Sequence, residues 1–372
     1  MPKQIPYSCQ TISEDDIKEV VKVLKSPFLT CGPKVGEFEK ALAKYAGCKE
    51  AVVVSSGTAA LHAAYFALGL KQGDEVITTP LTFSATSAGF CYLGARPVFC
   101  EIDPNSLNID PKEVEKKITK KTKAIAVVDF AGMPCDYRAI KKIAKKYKLP
   151  IVADACHSFG GSYFKKKIGG LADLTCLSFH PVKGMTTAEG GAILTNNSKW
   201  AEKMRVFRHH GAVKDPKRGG WYYEIKELGY NYRLTDLQCA LGLSQLKKLD
   251  SFIKRRREIA QKYKNAFAGL KEIVLQTEPA GFKSAYHLFV IQLKTKNRQA
   301  IYEQLKAKGI LTQVHYIPLH LQPAYQKFGY KKGDFPIAEK YYSRCLSLPI
   351  YPTLTTTQQT YIIKTLKALT VK

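Results

Sequence analysis

The chain has no pair of cysteines at the spacing of a metal site or a redox motif. Its ten cysteines, from Cys9 to Cys345, are scattered without a single CxxC. That argues against zinc or a disulfide framework as the organising principle and points to reduced thiols in apolar surroundings, with no metal. Long apolar runs are missing too. None has the length to span a bilayer, and Met1-Pro2-Lys3-Gln4-Ile5-Pro6 lacks the apolar stretch of a secretory leader. A cytoplasmic protein with no membrane partner is expected. Acidic residues are few, 31 against 58 Lys and Arg, for a net charge of +27. Such a balance can mean nucleic acid, but no dense arginine block with interleaved aromatics is present. Lysines such as Lys141, Lys142, Lys145, Lys146 and Lys148 recur along a predicted helix and read as a solvated face. The excess of positive potential suits a phosphate-bearing substrate better than a nucleic-acid partner. Repeats and low-complexity segments are also absent.

What is there is a chain of 372 residues, enough for a large domain and a smaller one. Strand and helix patterns alternate, which predicts an α/β fold with a mainly parallel sheet. Ala51–Ser55, Glu75–Thr79, Arg96–Ile102, Ala124–Asp129, Ile151–Asp154, Leu174–Phe179 and Gly191–Thr195 read as seven strands. Gly57–Leu70 and Phe83–Leu93 read as helices. After Arg233 the pattern changes. Thr235–Ala268 reads as one long helix, opened by a Thr/Asp cap signal and stopped at Gly269. Tyr286–Leu293 and Leu311–Tyr316 read as strands, Arg298–Lys308 as a helix, and the remainder as helices. The domain boundary is placed inside the long helix, giving a large domain 1–248 with the N-terminal segment and a small C-terminal α/β domain 249–372.

Three motifs carry chemistry. Ser55-Ser56-Gly57-Thr58-Ala59-Ala60-Leu61 joins a strand to a helix. Small residues there let the backbone approach an anion at a helix N-terminus, although an ordinary helix cap has the same appearance. Ile151-Val152-Ala153-Asp154-Ala155-Cys156-His157 runs an apolar strand into a carboxylate, at the strand end where open sheets bind ligands. Ser178-Phe179-His180-Pro181-Val182-Lys183 places a lysine in a turn between two apolar strands. A lysine in a desolvated pocket has a lowered pKa and can form a Schiff base, but surface lysines are far commoner. The order of phosphate loop, strand-end Asp154 and then Lys183 makes three weak signals into one. His180, next to it, reads as a structural imidazole or a proton relay.

On these residues the chain resembles the DegT/DnrJ/StrS family, fold-type-I pyridoxal-phosphate (PLP) aminotransferases that act on nucleotide sugars. Leu29-Thr30-Cys31-Gly32-Pro33, Thr79-Pro80-Leu81-Thr82-Phe83, Tyr230-Asn231-Tyr232-Arg233-Leu234-Thr235-Asp236 and Gln313-Val314-His315-Tyr316 extend the resemblance over nearly the whole chain. It implies a PLP-dependent transferase fold of type I, with Lys183 as the Schiff-base lysine and proton carrier. It implies Asp154 as partner of the pyridine nitrogen, Gly57, Thr58 and Ser178 as phosphate ligands, and Phe83 stacked on the ring. It implies His157 beside the ring hydroxyl, where the family often has Gln. Asn231 implies a residue reaching a neighbouring subunit's phosphate, hence a homodimer with shared active sites; a capped loop is the plainer reading of Asn231 and Arg233.

Val128-Asp129-Phe130-Ala131-Gly132, Gly169-Gly170 and Thr186-Thr187-Ala188-Glu189-Gly190-Gly191 resemble the pseudaminic-acid branch of the family. The branch implies amination at C4 of a UDP-linked 4-keto-6-deoxy-N-acetylhexosamine, with L-glutamate as donor. It also implies substrate contacts at Tyr7, at Pro27, Phe28, Leu29 and Thr30, and at Gln313, Val314, His315 and Tyr316. Without the resemblance, Tyr7 is a plain aromatic and His315 a core-facing strand residue. Gly184 and Met185 depart from the Pro-Ile of that branch, which puts the rigidity of the lysine turn in question. Alternatives are an aminotransferase making perosamine, viosamine or 4-amino-arabinose nucleotides, or a PLP-binding regulator without turnover.

Overall fold

The computed structural model describes residues 4–294 and 297–370; Met1, Pro2 and Lys3 of the opening segment lie outside them. Seven strands form one sheet: β1 (Glu50–Val54), β2 (Glu75–Thr78), β3 (Arg96–Phe99), β4 (Thr122–Val128), β5 (Ile151–Asp154), β6 (Leu174–Ser178) and β7 (Gly191–Thr195). Their spatial order is β1-β7-β6-β5-β4-β2-β3. Only β7 runs against its two neighbours; every other pairing is parallel. All seven strands form where the sequence places them, within a few residues at the ends. Their apolar runs are nearly continuous because both faces are covered. Ala51, Val53, Ile125 and Val127 enter one core, and Val52, Val54, Ala124 and Ala126 the other, as the two-residue side-chain period of a strand requires.

Helices α1 (Glu14–Leu24) and α2 (Pro33–Ala46) precede the sheet and were not anticipated. Their signals are present in the sequence: a Ser13/Asp16 capping box and Pro33 at the first helical position. Helix α3 (Gly57–Ala67) follows β1. The long helix α4 (Asp236–Phe267) is capped by Thr235, paired with Gln238 in a capping box. Its first half packs Leu246, Leu249 and Ile253 into the core of the large sheet. Its second half places Ile259, Tyr263 and Phe267 in a separate core. That second core covers an antiparallel sheet of β8 (Ile273–Leu275), β9 (Phe289–Leu293) and β10 (Cys345–Leu348), with β9 in the middle. Ile5 joins it and bridges to Ile310.

Two expectations fail in this region. Leu311–Tyr316 is not a strand, because only Gln313 pairs, with Ser347. Its alternating pattern instead turns His315 inward, where Nδ1 meets Ser347 Oγ at 2.8 Å. The C-terminal stretch is not all helical either, since β10 lies within it. Four buried residues ending at Pro349 are too short for periodicity to separate strand from helix. Two small hairpins, built on Ser162–Tyr163 with Lys166–Lys167 and on Ala212–Lys214 with Tyr223–Ile225, also carry no strong sequence signal.

Candidate active site

The ends of β1, β5 and β6 meet at one edge of the sheet, and a cavity of about 620 Å³ opens there. That volume suits a small-molecule site. Beyond β1, Ser56 caps α3, its Oγ accepting from Ala59 N at 3.1 Å. Gly57 and Thr58 then occupy the first turn, whose N–H groups have no partner within the helix. Gly57 is required by a close approach: a Cβ there would lie 2.9 Å from Ser178 Cβ and 3.3 Å from Cys156 Sγ. A strand end and a helix start thus touch, placing the Ser178 hydroxyl beside an electropositive helix N-terminus.

Asp154 ends β5. It is 7 % exposed and lines the cavity. Its carboxylate accepts from Thr86 Oγ1 at 2.6 Å and from Cys156 N at 3.2 Å, and Thr86 in turn contacts Thr82 at 2.7 Å. These bonds fix its orientation. Lys183 lies in the turn between β6 and β7 and lines the same cavity. Removal of water from its amine holds the pKa below the ordinary lysine value, while the thiol of Cys156 and the carboxylate of Asp154 pull the other way. Hydrogen bonds brace the turn around Gly184. Thr187 N and Thr186 Oγ1 both bond Phe179 O at 3.0 Å, and Phe179 N bonds Gly190 O at 2.8 Å. Met185 is buried in the core. A Cβ at position 184 would meet Leu249 and Phe159 only at 3.4 Å, ordinary contact distance, so the turn does not depend on glycine.

The opposite wall is aromatic. His157 and His287 lie with ring centroids 4.3 Å apart. His157 Nε2 meets Tyr316 OH at 3.3 Å, and Tyr7 packs on His315. Burial drives all three imidazoles below the ordinary histidine pKa, His315 to about 3, and the charge of Lys183 adds to the effect on each. They are therefore neutral at physiological pH. Phe83 stands exposed at the mouth, its ring 6.0 Å from that of Tyr316.

Gly57, Thr58, Phe83, Asp154, His157, Ser178, Lys183, Tyr7, His315 and Tyr316 thus converge on one cavity, with His180 beside them. Pro27, Phe28, Leu29, Thr30, Gln313, Val314 and Asn231 do not line it within this chain. The first four form an exposed loop, Gln313 and Asn231 are exposed, and Val314 packs between two cores. Sequence reasoning missed Thr86, which orients Asp154, and His287, which reaches the site from the segment just before β9. Thr86 carries a faint signal as a polar residue at helical spacing from Thr82; a lone histidine within a predicted strand carries none.

The arrangement fits pyridoxal phosphate. An amine with a lowered pKa, a fixed carboxylate, and a helix N-terminus with a hydroxyl beside it are the three groups such a cofactor needs. His157 Nδ1 is buried with no partner among the described residues, as a polar atom that a bound group would satisfy.

Comparison with known proteins agrees. Residues 10–367 match the model of the DegT/DnrJ/EryC1/StrS aminotransferase family. The spore coat polysaccharide biosynthesis protein SpsC of Bacillus subtilis is 44 % identical over 361 residues, covering 94 % of this chain and 93 % of that protein. The UDP-4-amino-4,6-dideoxy-N-acetyl-beta-L-altrosamine transaminase of Campylobacter jejuni is 42 % identical over 357 residues, covering 93 % and 92 %. The structure of Helicobacter pylori PseC, an aminotransferase involved in the biosynthesis of pseudoaminic acid, superposes with a TM-score of 0.94 at 37 % identity over 99 % of both chains. By these matches the chain belongs to the DegT/DnrJ/EryC1/StrS family and is a PLP-dependent sugar aminotransferase.

Proposed function

We propose that this enzyme transfers the amino group of L-glutamate to C4 of a UDP-linked 4-keto-6-deoxy-N-acetylhexosamine, in a pseudaminic-acid type of sugar biosynthesis. The observation that carries the chemistry is Lys183, whose amine is held below its ordinary pKa in the same cavity as the oriented carboxylate of Asp154. The choice of sugar rests on likeness to the Campylobacter transaminase and to PseC.

Bound pyridoxal phosphate supplies an electrophilic carbon for amines and an electron sink for the carbanion that forms. Asp154 would hold the pyridine nitrogen, its carboxylate kept aimed by Thr86. Gly57, Thr58 and Ser178 would hold the phosphate at the N-terminus of α3. Phe83 would pack on the ring, and His157 would serve the ring hydroxyl. Lys183 Nζ takes the α-proton of glutamate in the first half-reaction and delivers a proton to the sugar carbon that receives nitrogen in the second.

We read the working unit as a homodimer with shared sites. Exposed Ile17, Leu24, Phe28 and Leu29 on and after α1, and Trp221, Tyr223, Ile225 and Leu228 ahead of Asn231, are apolar surface of the kind a second copy covers. Asn231 then serves the neighbouring phosphate, and Pro27–Thr30 and Gln313–Val314 complete the sugar site.

The test is incubation with PLP, glutamate and a panel of UDP-, GDP- and dTDP-4-keto-6-deoxy sugars, with products read by mass and NMR. Amination of the UDP-N-acetyl sugar supports the proposal, and exclusive turnover of a GDP or dTDP sugar overturns it. A second reading, a different nucleotide sugar, is favoured by the likeness to SpsC, a polysaccharide biosynthesis protein of slightly higher identity.

A further inference from the structure

Arg256 is fully buried in α4, yet its guanidinium faces no carboxylate among the described residues. A buried cation without a counter-ion is strongly unfavourable unless its donors are satisfied. Here the two terminal nitrogens find main-chain carbonyls of three separate segments, while Nε is buried with no partner among the described residues. Nη1 donates to Ile350 O at 2.8 Å and to Tyr286 O and His287 O at 3.3 Å; Nη2 reaches Val182 O at 3.5 Å. Val182 immediately precedes Lys183. His287 carries the imidazole packed against His157. Ile350 follows the last strand of the small sheet. An aliphatic side chain can fill the same space with no charge to desolvate, but only a rigid fork of donors holds three segments in register.

We infer that Arg256 is a positioning residue for Lys183, tying the lysine turn to the histidine wall and to the small sheet. Ser8 Oγ, 3.3 Å from the same Val182 carbonyl, is the second tether of that turn. A lysine that must reach a fixed carbon is sensitive to small shifts of its backbone, since misplacing a reacting group by about 1 Å lowers the rate by about 100-fold. The inference rests on Lys183 being the reacting amine. Loss of the Lys183→Ala phenotype refutes that reading, whereas the Arg256 series below refutes only the positioning role.

The experiment reconstitutes cofactor-free protein with PLP and follows the growth of the lysine-linked cofactor band. Borohydride reduction and peptide mass spectrometry then locate the cofactor. Arg256→Met, folded by circular dichroism, should link PLP to Lys183 at least about tenfold more slowly and lower kcat comparably, leaving KM for the nucleotide sugar within about twofold. Ser8→Ala should slow linkage less, in the same sense. Arg257→Met removes a guanidinium held by Glu278 at 2.6 Å and by Ser284 O at 2.9 Å on the same helix, and should lower Tm without slowing linkage. A folded Arg256→Met with normal linkage overturns the inference, whether or not kcat falls. If that variant does not fold, Arg256→Lys and Ser8→Ala decide, and normal linkage in both overturns it.

Discussion

Lys183 and the lysines of the helix Tyr137–Tyr147 share one chemical group and have opposite surroundings. Lys141, Lys142, Lys145 and Lys146 lie on the exposed face of that helix, while Ile140, Ile143 and Ala144 pack inward. Lys146 pairs with Glu115 at 2.7 Å, and that hydrogen bond raises its pKa. Lys183 forms no ion pair among the described residues, and desolvation lowers its pKa. The first environment keeps an ammonium charged and inert; the second prepares a base and nucleophile. Residue type decides little here, and the path of the backbone decides nearly everything.

The largest expected effect tests the comparison directly. Lys183→Ala should abolish turnover and the lysine-linked cofactor band, measured by coupled glutamate consumption and absorbance. Full activity in that variant breaks the comparison. Asp154→Asn, which keeps the shape and removes the charge, should lower kcat on the order of 10²- to 10³-fold, as the loss of one preorganised electrostatic contact does. A steady-state assay at saturating substrate checks it; a change confined to KM assigns Asp154 to binding.

A third measurement sharpens the role of desolvation. His315 is pushed from 6.5 to about 3, by burial and then by Lys183. Between about pH 3 and 6.5 the unfolded chain binds more protons at this group than the folded chain does. Its contribution to stability therefore rises with pH through that window and is lost on acidification. His315→Gln should reduce the stability difference between about pH 5 and pH 7 by about 2 kcal/mol, read from urea midpoints. An unchanged slope means that His315 is not kept neutral by burial. The smallest effect is expected on the solvated helix. Lys141→Gln and Lys145→Gln should change stability by no more than about 0.5 kcal/mol and leave kcat unaltered. A loss of activity there gives that face a function that its exposure does not suggest.

The motif residues were legible because their local patterns coincide with their final geometry. An apolar run stopping at Asp154 is a strand end whether viewed in sequence or in space. Ser56 and Gly57 begin a helix by the same rules that place an anion there. The long helix after Thr235 was equally plain from its cap and its stop. His287 was not, since nothing near it announces a site. It reaches the cavity only because the segment before β9 folds back against the strand ends of the large sheet. Leu311–Tyr316 misled for a related reason: alternation predicts a strand, but a strand needs neighbours on hand to pair with, and here side chains and one bridge to Ser347 supply the partners. Gly184 and Met185 by themselves say little about the turn, because the bonds that brace it run to Phe179 from across the loop.

The sequence by itself determined the strand pattern, the type of sheet and the order of phosphate loop, carboxylate and lysine, because these follow from local periodicity and residue chemistry. Tertiary structure alone decided that Lys183 loses its water, that His157, His287 and His315 surround it as neutral groups, and that Arg256 reaches Val182 from 74 residues away. Desolvation and charge coupling depend on distances through space, and those are fixed only once distant segments pack against one another.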